Sequence, residues 1–142
     1  MKNNKLVMTM VILLVIIALV GTVAIIMLLN TNNQSNDSEP TIDEVLEVSV
    51  DIKEITTNLA SNDFIRISFK IQTDSKDAKE ELEKRDFQVN NIIILELSGL
   101  KVEEIQGKEG QLKLEETLKT KINEILQEGK VQKIYITQFL LQ

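Results

Sequence analysis

The 142-residue chain has no cysteine, no histidine and no tryptophan. Without cysteine there is no disulfide and no thiolate nucleophile, so any folded part must stand on its hydrophobic core. Without histidine there is no imidazole acid–base catalysis. With both missing, zinc sites of the usual His/Cys kind are excluded. These absences do not remove carboxylate chemistry. Charge is missing too, in one place: from Leu6 to Leu29 there is none.

That uncharged run is the most informative stretch of the sequence. Only Thr9, Gly21 and Thr22 interrupt Val, Ile, Leu, Met and Ala. A helix rises ~1.5 Å per residue and a bilayer's hydrocarbon core is ~30 Å thick, so the run spans it with slack for tilt. Backbone groups in lipid must bond one another, which makes the run helical despite its β-branched content. A cleaved signal peptide is the competing reading. It needs an apolar region of about 7–15 residues and a small-x-small site. Thr22-Val23-Ala24 fits that poorly, and apolar residues continue past it, so an uncleaved anchor is expected.

Lys2 and Lys5 precede the span, and the first charge after it is Asp37. The positive-inside rule then places residues 1–5 in the cytoplasm and the C-terminal domain outside the cell membrane. The chain carries a net charge of −6; the anchor's two lysines mean that residues 31–142 carry −8. An acidic domain is repelled by nucleic acid and by anionic headgroups, so protein contacts are its expected business.

Asn30 to Pro40 is polar throughout and reads as a linker, with the boundary of the outer domain expected at Glu44. As a coil the linker reaches roughly 18 Å and fully extended about 36 Å, a short leash. Val45, Leu46, Val48 and Val50, then Ile52 and Ile55, predict one or two strands with a break near Lys53. Asn58 to Asp63 is a turn cluster. Phe64 to Ile71 alternates strictly, with Ile65, Ile67, Phe69 and Ile71 on one face and Arg66, Ser68 and Lys70 on the other. Lys76 to Arg85 predicts an exposed helix after a Thr73-Asp74-Ser75 cap. Its core contacts are Ala78 and Leu82, and its i,i+4 pairs are Lys76/Glu80, Lys79/Glu83, Glu80/Lys84 and Glu81/Arg85. Val89 to Leu97 fits a buried strand or a buried helix equally. Leu112 to Gln127 is an amphipathic helix with Leu114, Leu118, Ile122, Ile125 and Leu126 on one face, ended by Gly129. Val131 to Leu140 is a strand expected to bury Ile134, Ile136 and Leu140, with Tyr135 and Phe139 opposite. The order defines an α+β domain with an antiparallel or mixed sheet packed on helices.

No catalytic constellation is visible. Glu80-Glu81-Glu83, Glu103-Glu104 and Glu115-Glu116 are acidic clusters, but neighbouring lysines make each a solvated face. Glu103-Glu104-Ile105-Gln106-Gly107 is too sparse for a calcium loop. No G-x-G-x-x-G, Walker or G-x-S-x-G motif occurs. Neither a cofactor nor a metal nor a small-molecule substrate is expected. Arg66 is read as an exposed charge rather than an anchor for a partner's carboxylate.

The layout as a whole is familiar. The lysine-flanked span and polar linker lead to Thr57-Asn58-Leu59, Phe64-Ile65-Arg66-Ile67-Ser68-Phe69, Arg85-Asp86-Phe87-Gln88-Val89-Asn90-Asn91 and Leu97-Ser98-Gly99-Leu100. Gly110-x-Leu112 and Ile122-Asn123-Glu124-Ile125-Leu126 follow. The last strand reads Val131-Gln132-Lys133-Ile134-Tyr135-Ile136-Thr137-Gln138-Phe139-Leu140-Leu141-Gln142. This closely resembles the FliL family of flagellar basal-body-associated membrane proteins over essentially the whole chain. The G-x-L…N-x-x-L helix and the Y-x-T-x-F-x-x-Q ending are the most specific parts. Family members often carry R-x-P-x-I-x-D where this chain has Arg85, Phe87, Val89 and Asn91, so the proline expected to break two helices is missing.

The resemblance implies that Val89–Leu97 is helical and that the outer domain looks like a stomatin-type (SPFH) domain that assembles into rings. It implies a non-enzymatic motor accessory, associated with stator units of the MotA/MotB type and supporting torque. Two other classes compete: a generic anchored module that binds an envelope protein or cell-wall component, and an anchored hydrolase using carboxylates. A type IV pilin is disfavoured, since residues 6–29 lack the early Glu of that class.

Overall fold

The structure, a computed structural model, describes residues 2–31 and 39–142. The chain divides into two units, Met1–Glu39 and Pro40–Gln142. The first contains one helix, α1 (Lys2–Thr31). The second runs α2 (Ile42–Glu47), β1 (Ser49–Asn58), β2 (Phe64–Thr73), α3 (Lys76–Lys84), α4 (Asp86–Gly99), α5 (Val102–Ile105), α6 (Gly107–Ile125) and β3 (Val131–Leu141). Residues 32–38, the centre of the expected linker, lie outside the described residues.

The strand expected from Val45 starts instead at Ser49. Residues 42–47 form α2 because Thr41-x-x-Glu44 is a capping box: Thr41 N–H donates to Glu44 Oε2 at 2.7 Å, and Glu44 N–H to Thr41 Oγ1 at 3.4 Å. Two end groups bonded reciprocally outweigh the strand propensity of Val45. The turn over residues 59–63 and the β2 alternation are as expected. Ile65, Ile67, Phe69 and Ile71 are all within 1% of complete burial.

The three strands form one antiparallel sheet in the order β1-β2-β3. Helices cover one face. Leu82 of α3, Val89, Ile93 and Leu97 of α4, Ile105 of α5, and Leu114, Leu118 and Ile122 of α6 complete the core against β2. The period of 89, 93 and 97 is helical, and Leu95, which a strand would bury beside Ile93 and Leu97, is 63% exposed. The residues had allowed two answers for this segment; packing selects the helix. The break between α3 and α4 falls at Arg85 without a proline.

α6 begins at Gly107, five residues before the expected Leu112, and ends at Ile125, so Gly129 lies beyond it in the connection to β3. The reason Gly110 sits inside a helix is space. It continues the Leu114–Leu118–Ile122 stripe one turn back, where a Cβ would lie 2.5 Å from the Glu104 carbonyl oxygen and 2.8 Å from Ile105 Cα. The α5 backbone occupies that place, and only glycine admits it.

Each edge strand contains bulges that rephase its side chains. One extra residue separates Ile52 from Ile55 on β1, at the break expected near Lys53. On β3, Thr137 and Gln132 are the unpaired residues, since Ser68 faces Gln138 while Phe69 faces Ile136, and Gln72 faces Lys133 while Thr73 faces Val131. A bulge lets apolar residues three apart point to the same side. Ile52 and Ile55, Val131 and Ile134, and Ile136 and Phe139 are such pairs, all packed on the core. The expected β3 phasing is therefore wrong beyond Thr137. Phe139 and Leu141 turn inward, and Leu140 turns out, 41% exposed.

Candidate functional site

α1 has no polar face. The apolar stretch Leu6–Ile26 is long enough to cross a membrane, and none of it is covered by protein. Its polar side chains bond within the helix. Thr9 Oγ1 donates to the Leu6 carbonyl at 2.8 Å, and Thr22 Oγ1 to those of Ala18 and Leu19 at 3.0 and 2.9 Å. Neither hydroxyl needs water, which suits a helix bathed in lipid. Lys2 and Lys5 lie in the first turns of α1, Leu6 at the start of the apolar stretch and Leu29 near the helix end.

The acidic clusters of the second unit hold backbone in place. Glu81 Oε2 accepts from the N–H groups of Gln127 and Glu128 at 2.9 and 2.7 Å, while its Oε1 accepts from Arg85 Nε at 2.7 Å. The Glu128 N–H, then Gln127 and the Arg85 guanidinium, hold this carboxyl below the usual range against the upward push of burial. Glu104 accepts from Lys101 N–H at 2.9 Å, and Glu115 from Ile136 N–H at 3.0 Å. Glu116 and Glu80 pair with Lys119 and Lys84. Of the four expected i,i+4 pairs, Glu80/Lys84 and Glu81/Arg85 form. Lys76 instead reaches Glu47 at 2.9 Å, and Lys79 donates to the Glu47 carbonyl at 3.2 Å, which ties α2 to α3. The Lys76 hydrogen bond and charge lower the Glu47 pKa. Lys121 on α6 meets Glu96 on α4 at 3.0 Å, and that partner raises its pKa. Among the described residues no three metal-ligating side chains come together. Arg66 lies on the open face of the sheet, paired with Glu54 at 3.4 Å.

The motif residues of the last third are scaffold. Asn123 grips the start of β3, accepting from Val131 N–H at 2.7 Å and donating to its carbonyl at 3.2 Å. Tyr135 donates from its hydroxyl to Gln72 at 3.1 Å on the open sheet face. Gln142 and Phe64 exchange two backbone bonds of 2.8 Å and close the β2–β3 ladder.

The two edges of the sheet differ, and residue-level reading missed this. Thr73 N–H donates to the Val48 carbonyl, and Phe64 bonds to Gln142. Antiparallel alternation then turns the backbone groups of Ser49, Asp51, Thr56 and Asn58 on β1 away from the sheet, and likewise those of Val131 and Ile136 on β3. On β3 these groups meet side chains of α6, Asn123 and Glu115. On β1 no described side chain meets them. Beside β1 residues 49–56 lies a groove of about 750 Å³, with Lys79, Leu82, Glu83, Asp86, Asn90 and Ile94 on its helical side.

An apolar helix long enough to cross a membrane and a small α+β unit in which Glu81, Glu104 and Glu115 hold backbone groups together make a single-span membrane protein by class. A sequence profile described as "Flagellar basal body-associated protein FliL" matches residues 49–142. The Flagellar protein FliL of Bacillus subtilis (strain 168) is 48% identical over 110 residues, covering 78% of this chain and 79% of that protein. The Flagellar protein FliL of Aquifex aeolicus (strain VF5) is 30% identical over 79 residues, 56% of this chain and 49% of that one. The chain belongs to the FliL family.

Proposed function

We propose that this protein is a non-enzymatic accessory of the flagellar motor, fixed in the cell membrane by α1, that braces a membrane partner from outside the cytoplasm. Family membership carries the flagellar part of this reading. The bracing part rests on the acidic clusters, whose members Glu81, Glu104 and Glu115 hold backbone groups. Stator units of the MotA/MotB type are the partner the family resemblance implies.

The topology follows from Lys2 and Lys5, with residues 40–142 outside. Copies anchored in one plane meet at high effective concentration, so weak lateral contacts suffice for a ring around or beside the partner. The charge of −8 on residues 31–142 keeps the isolated domain monomeric or weakly associated at low salt.

A deletion strain tests the reading. It should swim poorly, most of all in viscous medium, and recover with the full chain but not with a chain lacking residues 1–31. Normal swimming of the deletion strain at every viscosity sinks the proposal. Protease added to spheroplasts should remove a C-terminal tag; protection of the tag reverses the topology. Crosslinking in native membranes that recovers only monomer, with no stator protein, rules out bracing.

A further inference from the structure

We propose that the outer edge of β1 takes up an extended, basic segment of another protein as a fourth strand of the sheet. This rests on reading the protein as a binding scaffold and names the surface it uses.

The first observation is the asymmetry of the edges. An edge strand offers a row of donors and acceptors to any chain that comes alongside, and folded proteins usually cover or blunt it. α6 does so for the first half of β3 through Asn123 and Glu115. The outward groups of Ser49, Asp51, Thr56 and Asn58 have no such cover among the described residues. Strand addition satisfies a row of this kind, and the ten residues of β1 set the length of segment that fits.

The second observation is the groove. Alternate side chains of an added strand point to the helix side of the sheet, where about 750 Å³ is open beside α3 and α4. Ile94 lines it, 39% exposed, and Phe87, two turns back on the same helix face, is 68% exposed. Apolar side chains of the segment have a surface to cover there.

Charge selects the occupant. On the helical side the two carboxylates Glu83 and Asp86 make no ion pair among the described residues and outnumber the one positive charge there, Lys79, whose ammonium donates to the Glu47 carbonyl. A segment bearing Lys or Arg complements that side. A second copy of this chain does not: its domain is equally acidic, and the only other sheet edge it offers is β3, held by α6 over its first half. Pairing β1 with β1 of another copy sets Lys53 near its own counterpart. Lys53 and the bulge beside it disfavour indiscriminate edge pairing.

The test uses the full-length protein in its native membrane. A photo-crosslinking residue replaces Lys53, and crosslinked peptides are mapped by mass spectrometry. The expected adduct is a single non-self segment of net positive charge. Asp51→Pro removes an outward N–H and leaves the β1–β2 ladder whole, a position where edge strands tolerate proline. It should cut the adduct at least tenfold, as should Thr56→Pro. A synthetic peptide of the captured sequence should bind wild-type protein in detergent micelles. N-methylation of its alternate amides should weaken that binding at least tenfold, a measurement that needs no variant to fold. An adduct to this chain itself, to an acidic segment, or none at all overturns the proposal, as does equal binding of the methylated peptide. Normal motility of a deletion strain would sink the motor reading and leave this result standing.

Discussion

The side-chain amide of Asn123 makes both of its hydrogen bonds to the backbone of a single residue, Val131. Eight residues of chain separate them, and the pair closes the α6–β3 connection into a loop of fixed length. Val131 is 2% exposed, so its N–H has little access to water if the amide is lost. Asn123→Ala should cost about 1–3 kcal/mol, the penalty of stranding buried backbone groups. For a domain of this size that lowers the melting temperature of residues 40–142 by several degrees, roughly 4–8 °C per kcal/mol. An unchanged melting temperature would contradict the clamp.

The bulge at Thr137 reverses which of two neighbours matters. Phe139 packs on the core and Leu140 faces outward. Phe139→Ala should therefore destabilise by about 1–3 kcal/mol, less than a fully buried Phe. Leu140→Ala should stay within about 0.5 kcal/mol. Urea unfolding of the two variants checks the order, and the reverse order would restore the unbulged register.

Gly129 has φ of +74°, and a Cβ there would run into Asp74 Oδ1 and lie 2.9 Å from Ala78 Cβ and from Ser75 Oγ. Asp74 uses that oxygen to accept from Lys130 N–H at 2.9 Å. Gly129→Ala should lose more than the ~1–2 kcal/mol of left-handed strain alone, because the Asp74 contact must also shift. A thermal melt of Gly129→Ala equal to wild type would show that the connection relaxes freely.

Glu81 makes stability depend on acid. Its folded pKa lies below the ordinary glutamate value of 4.5, chiefly through the Glu128 and Gln127 N–H bonds. The contribution is complete above 4.5 and is lost as pH falls through the lowered folded value. Glu81→Gln should flatten the acid limb of the stability–pH profile below 4.5 relative to wild type. Parallel profiles for the two proteins would show that Glu81 has no such role.

Much of this fold was legible because local physics decides it. The run from Leu6 to Leu29 has one outcome in lipid, and strict alternation at 65, 67, 69 and 71 has one outcome at the centre of a sheet. Ala78 and Leu82 carry the burial expected of them, and the α6 stripe could be read from its spacing. The places that misled were those where a short signal was outweighed. The Thr41–Glu44 capping box turned Val45 into helix, and Gly110 entered α6 because the α5 backbone crosses there. The partners of Lys76 and Lys79 lie on α2, which no helical spacing within α3 reveals.

The sequence by itself determined the apolar span, the acidic character of the C-terminal domain, its α+β order and, through its motifs, its family. A run of residues settles these because each depends on solvent or on neighbours a few positions away. Only the tertiary structure decided which β3 side chains face the core, since a bulge is chosen by the fit of one strand to another. It also decided that α6 covers the first half of one sheet edge and leaves the other open. That difference arises from contacts between segments dozens of residues apart, where no local periodicity reaches.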